Sequence, residues 1–234
     1  MPSRTGTASQ VDASAGDGST SVTVPADCDF VVAFWMHWDD NAGSTISGLT
    51  LNSVSFTIQS QLAEGAVTDE SGVGVATLAN PATGSQTFAW TWSAGGARTE
   101  GGGIFLVYVK DHNSGDAVRA AGTDAATLTT GVSVTLATET TDLLLAACQR
   151  YTGGNPALDG TVFINDVTVN SEVYDVSEVT PSATSTTVNM TNENFSSMAA
   201  VSLKQAVGGG GAASNFANKS FIESLFTRPR FLRR

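Results

Sequence analysis

Two histidines, His37 and His112, bound the acid-base chemistry open to this 234-residue chain, because any imidazole mechanism must use one of them. His37 lies in Phe34-Trp35-Met36-His37-Trp38, where alternation places it on the same face as Trp35 and predicts a satisfied strand histidine. His112 follows an apolar run in Lys110-Asp111-His112-Asn113 and reads as a loop residue. Neither belongs to a nucleophile-elbow, zincin, phosphate-loop or dinucleotide motif. Gly101-Gly102-Gly103 reads as a turn before a strand, with no helix behind it to hold phosphate. Asp39, Asp40, Asp69 and Glu70 sit beside turn residues, and no spacing selects two of them as a hydrolase pair. With Asn41 or Asp111 they offer oxygen ligands for calcium, but without the ladder of an EF-hand loop. Cys28 and Cys148 have no CxxC or His-Cys zinc spacing and read as small buried hydrophobes. No catalytic residue, metal ligand or cofactor is assigned, and the chain is expected not to be an enzyme.

Four tryptophans carry the remaining chemistry. Trp90 and Trp92 share one face of a strand by their spacing of two, whereas Trp35 and Trp38 fall on opposite faces. Core packing is the plain expectation for such rings. If the face of Trp90 and Trp92 were open to solvent, it would make a glycan-binding platform.

The elements that must position these residues are strands. Period-two alternation recurs from residue 20 to residue 205, as in Ser21-Val22-Thr23-Val24, Ser53 to Ile58, Thr87 to Trp92 and Val132 to Leu136. Phe30 to Trp38, Ile104 to Val109, Leu143 to Cys148 and Met198 to Leu203 are denser apolar runs that predict central, more fully buried strands. Turn punctuation separates the runs, notably at Asn80-Pro81, Gly95-Gly96 and Asn113-Ser114-Gly115. About twelve strands are expected by this reading, with no helical pattern before residue 214. An internal echo pairs Ser21 to Val24 and Phe30 to Ala33 with Ser133 to Leu136 and Leu143 to Ala146. A second pairs Gln86 to Trp92 and Ile104 to Lys110 with Thr186 to Thr191 and Met198 to Lys204. Two half-units packed as the two sides of one sandwich would account for both, and this is preferred to tandem separate domains, which would need a linker near residues 112 to 130, where the sequence is not distinctly linker-like.

Residues 207–215 then form a Gly-rich linker, flexible by composition. Beyond it, Ser220-Phe221-Ile222-Glu223 has the pattern of a capping box, and Phe221 with Leu225 and Ile222 with Phe226 are spaced for one helical face. Pro229 stops that helix. The expected anchor, residues 216–234, binds a partner through Phe216, Phe221, Ile222, Leu225, Phe226, Arg228, Arg230, Phe231, Arg233 and Arg234. So short a helix is marginal alone and orders on a partner.

Ser21-Val22-Thr23-Val24-Pro25-Ala26-Asp27 before an apolar strand, Leu78-Ala79-Asn80-Pro81-Ala82-Thr83-Gly84-Ser85-Gln86-Thr87-Phe88 and the closing Met198-Ala199-Ala200-Val201-Ser202-Leu203 together resemble a jelly-roll module. Such modules occur in phage virion proteins, as decoration, head-fibre and tail components, and in bacterial surface proteins. The resemblance covers residues 20 to 205 and implies an all-β fold: a single jelly-roll-like antiparallel β-sandwich over residues 20–206, with an N-terminal arm at 1–19. It also implies a structural role in a virion, most simply as a capsid decoration or head-fibre protein held through its terminal segments. The alternative is a carbohydrate-binding or adhesion module of a cell-surface or tail protein. Expected partners are other virion proteins, further copies of this chain and a host-surface glycan.

Charge and composition limit the other classes. Net charge is −11, yet residues 212–234 carry five Lys and Arg against one Glu, a net of +4 that leaves −15 on the rest. An acidic body argues against nucleic-acid binding outside the tail, since phosphate neutralisation needs clustered cations. Only 14% of residues are charged, so the surface must be built largely from Ser, Thr and Gly. No run of apolar residues is long enough for a membrane helix, and the first residues lack the apolar core of a secretory leader.

Overall fold

The computed structural model describes residues 1–13, 16–38, 44–63, 72–93, 101–112, 116–126, 131–151, 157–169, 172–191 and 196–205. The linker and anchor expected over 207–234, with Phe216, Phe221, Ile222, Leu225, Phe226, Arg228, Arg230, Phe231, Arg233 and Arg234, lie outside the described residues. So do Asp39, Asp40, Asn41, Asp69 and Glu70.

Every regular element among the described residues is a β-strand. The first half contains β1 (Ser3–Arg4), β2 (Ser9–Asp12), β3 (Gly18–Val24), β4 (Phe30–Trp38), β5 (Ile46–Leu51), β6 (Val54–Ser55), β7 (Thr57–Leu62), β8 (Gly72–Ala79), β9 (Gly84–Trp92) and β10 (Gly101–Lys110). The second contains β11 (Val118–Ala126), β12 (Val132–Ala137), β13 (Leu143–Tyr151), β14 (Ala157–Leu158), β15 (Thr161–Val169), β16 (Glu172–Val179), β17 (Ser185–Thr191) and β18 (Ser196–Leu203). These exceed the twelve expected, because two-residue pairings such as β1, β6 and β14 are too short to show any periodicity.

All pairings within the sheets are antiparallel, and they make an all-β sandwich architecture. In the first half an inner sheet has the order β1-β10-β4-β8-β7, with β2 also on β10, and an outer sheet has β3-β9-β5-β6. In the second half the inner sheet is β11-β18-β13-β16-β15 and the outer is β12-β17-β14. The echo in the sequence is therefore an echo in topology. β4 lies between β10 and β8 as β13 lies between β18 and β16, and β3 pairs β9 as β12 pairs β17.

The layering differs from two half-units forming the two sides of one sandwich. Each half is itself a two-sheet sandwich, and the two inner sheets pack on each other, giving four layers. The dense apolar strands require this arrangement. Along β4, Val31, Ala33 and Trp35 face the outer sheet of their own half, whereas Phe30, Val32, Phe34 and Met36 join Leu143, Leu145, Tyr174 and Val201 of the other half. A strand apolar on both faces needs cover on both faces. Covering each large side chain in the central layer contributes about 1.5–3 kcal/mol.

Glycine sets one of the closest approaches. A Cβ on Gly74 would lie 2.1 Å from the Trp35 indole, and one on Gly72 would lie 2.1 Å from the His37 ring, so β8 lets both rings lie flat across it. Residues 1–12, read from the sequence as part of an arm, contribute two short strands, β1 and β2, that pair with β10. Ser3 and Arg4 register with Lys110 and Val109, and Ser9 to Asp12 register with Leu106 to Gly103. Arg4 also reaches the second half, stacking its guanidinium 3.8 Å over the Phe163 ring and donating to Glu178 at 2.9 Å.

Candidate functional site

The seam between the two inner sheets opens at one end into a groove of about 450 Å³ lined by Phe30, Gln59, Thr77, His112, Asp116 and Arg119 among others. Its walls are the ends of β4, β7, β8 and β10 on one side and the start of β11 on the other. Ser60 and Thr123 hydroxyls, 3.1 Å apart, join the walls nearby.

His112 is placed by its neighbours rather than left in a loop. It is buried, forms a bridge with Gln205, and its ring lies 4.6 Å from that of Phe30. Nδ1 is 2.7 Å from Asp29 Oδ1, and because a carboxylate only accepts, Nδ1 carries the hydrogen. The second Asp29 oxygen accepts from the Asp111 backbone N–H at 3.1 Å, where Asp111 turns with φ 59°. Nε2 has no hydrogen-bond partner, so among the described residues no hydroxyl or thiol stands where this imidazole would activate it. The pair ties the end of β10 to the turn before β4.

On the facing wall Arg119 donates from Nε and Nη2 to Asp142 at 2.6 and 3.1 Å and lies 2.9 Å from Glu139 through Nη1. Burial alone would raise the Asp142 carboxyl. Hydrogen bonds from Arg119, the Glu139 backbone and Ser202 outweigh that effect and hold it below the usual carboxylate range. The same contacts raise the Arg119 guanidinium, with the Asp142 hydrogen bond the largest cause. Lys204 pairs with Asp116 where β18 leaves the sheet. These charges are engaged with each other, so the groove is a fastened joint with a polar lining.

A second depression of about 510 Å³ lies between the N-terminal segment and β3, lined by Thr7, Ser9, Gln10, Thr20, Ser21 and Thr23 among others. It offers neutral hydroxyl and amide groups and no charge.

The tryptophans expected as a candidate glycan platform are inside. Trp90 is 7% and Trp92 2% exposed, and both belong to the core between the first pair of sheets. Their indole N–H groups donate to the Gly16 and Ala13 carbonyls at 2.6 and 3.2 Å. The apolar face of β9 is the inward one, so these two rings offer no stacking surface to a sugar. His37 shares the Trp35 side as expected. It is buried edge-on to Trp92 at 4.6 Å with Nε2 3.1 Å from the Ser44 carbonyl. Gly101 to Gly103 do not form a turn; they open β10 and pair with Trp38, His37 and Met36, and a Cβ on Gly103 would lie 3.2 Å from the Tyr174 ring. Cys28 and Cys148 lie in different cores and are not joined by a disulfide.

Arg119 and Asp142 carried no sequence signal, since twenty-two residues separate them and neither lies in a motif. Arg150 and Asp175, charged yet buried in adjacent strands, were hidden in the same way, although an Arg at the end of the apolar run Leu143 to Cys148 marks a place where burial must be compensated. Among the described residues no three His, Cys, Asp or Glu side chains converge as metal ligands. Compared with known proteins, the chain matches no family model, and no curated protein matches its sequence.

Proposed function

We propose that this chain is a non-enzymatic structural component of a bacteriophage particle, a capsid decoration or head-fibre protein docked to other virion proteins by a terminal segment. The observation that carries the reading is a division of labour along the chain. Ser3–Arg4 and Ser9–Asp12 pair with β10 as part of the body, and the charged side chains Arg119, Asp142, Lys204 and Asp116 at the seam are engaged with each other. The segment we assign to docking is 216–234, whose apolar and basic side chains contrast with an acidic body. Helix-in-groove binding by such a segment suits an acidic or apolar cleft of a shell protein. Thr- and Ser-rich outer faces, such as the paired hydroxyls of Ser21 with Ser85 and Thr135 with Thr187, suit a body that stands in solvent. An adhesive role toward a host glycan would need a platform other than Trp90 and Trp92.

The test is deletion of residues 208–234, followed by circular dichroism of the remaining body and by co-purification with particles of the phage that encodes it. A folded body that no longer incorporates supports the proposal. Undiminished incorporation refutes docking through this segment.

A further inference from the structure

β7 is the open end of the first inner sheet. On one side it pairs β8, and among the described residues nothing pairs with its other side. β6, joined to it through Phe56, ends the outer sheet of the same half, so both sheets of the first half finish along residues 54–62. Such an end is a row of unpaired N–H and C=O groups, which proteins commonly guard with charge or proline. The other terminal strands of the inner sheets are guarded: β1 carries Arg4, β2 Asp12, β11 Arg119 and Asp124, and β15 Asp166. β7 carries neither charge nor proline, and β5, β6, β8 and β9 contain no charged residue either. Its pairing with β8 has one bulge, between Ile58 and Ser60.

The aliphatic side chains along this edge are left bare. Four large apolar residues are exposed among the described residues, and three of them are Val54, Ile58 and Leu62, at 56%, 36% and 38%. Ile58 is the Cα partner of Ala76, which belongs to the core of the first half, and Leu62 is the partner of Val73, which belongs to the core between the halves. Cross-strand partners share a face, so both cores run out across β8 and end uncovered on β7. A strand with aliphatic side chains toward both cores has the pattern of one with a neighbour on each side.

Charge says which neighbour. The body is strongly acidic, so two copies repel each other wherever their surfaces meet except along a face without charge, and this edge is such a face. A basic partner would find no acid here to pair with, and an acidic partner no cation. A second copy presents the same uncharged edge. We propose that β7 is the interface of a homodimer, in which two copies pair their β7 strands antiparallel about a twofold axis and continue the inner sheet from one copy to the other. A twofold contact uses the same edge on both copies and so closes at two. At the opposite end of the sheet β1 and β2 hold Arg4 and Asp12, which guard it against further growth. The inference is independent of any role in a virion.

The test is sedimentation equilibrium of the full chain from micromolar to near-millimolar concentration, with hydrogen exchange read by mass spectrometry at both ends of that range. A reversible monomer–dimer equilibrium is expected, with slower exchange over residues 54–62 in the dimer. Salt should tighten the dimer, since it screens the repulsion between two acidic bodies and the contact has no ion pairs to lose. Ile58→Glu sets two carboxylates against each other across the axis and should weaken the dimer at least about tenfold. Val54→Glu, at a more exposed position, should act in the same direction and decides the matter if Ile58→Glu fails to fold. A chain that stays monomeric over the whole range overturns the proposal, as does a dimer that both substitutions leave unchanged or that salt dissociates. Protection of residues 54–62 that appears only when another virion protein is added would assign the edge to that partner and overturn the second copy as its occupant.

Discussion

Asp142 shows how single residues hold the seam. Its carboxylate is buried, accepts two hydrogen bonds from Arg119 and one from Ser202, and has its affinity for protons lowered by them. A carboxyl with a lowered folded-state pKa contributes stability that is complete above its unfolded value of about 3.9 and is lost as pH falls through the folded one. Urea midpoints should therefore be flat from neutral pH to about pH 5 and drop below about pH 4, and Asp142→Asn should flatten that drop. At neutral pH, Arg119→Ala strands a buried carboxylate and should cost about 3 kcal/mol. A midpoint unchanged by Arg119→Ala would show that the pair does nothing for the fold. The pair was invisible in the sequence, unlike His37, whose place beside Trp35 followed from alternation alone. Trp90 and Trp92 fall between these cases. Period two assigns them to one face, but only the pairing of β9 with β3 and β5 decides that this face points inward.

At the scale of elements, the legible strands were those whose apolar pattern is unbroken. β4, β10, β13 and β18 stood out because each faces two cores, and two covered faces leave no polar alternation to read. β8 and β16 occupy equivalent places, yet glycines in Gly72-Val73-Gly74 and acids in Glu172 and Asp175 disguised them. The edge strands β1 and β2 gave no signal, since pairing with β10, not their own composition, makes them strands. They cover a ladder of N–H and C=O groups that would otherwise be an open template. Deleting residues 1–12 should lower the melting temperature and cause concentration-dependent self-association. Light scattering on the deletion variant measures this, and a monomer as stable as the intact chain would refute it.

At the scale of the whole molecule, the duplication makes the halves interdependent. The inner sheets share the central core in which Phe34, Phe105, Leu145, Tyr174 and Val201 are buried, so separating the halves would expose a broad apolar face on each. Calorimetry should accordingly show one cooperative transition for both halves, and a fragment of residues 1–112 should aggregate. Two resolved transitions, or a soluble monomeric fragment, would mean that the seam contributes little. The internal echo announced the duplication, but the number of layers was unreadable, since a residue pattern tells which strands are covered twice and not by what.

The position of β18 bears on mechanical load. It runs between β11 and β13, and the chain beyond Gln205 leaves from its end. Tension applied at that exit along the strand axis would shear two hydrogen-bonded ladders together instead of peeling one bond at a time. Resistance to extraction is then shared across both flanking strands.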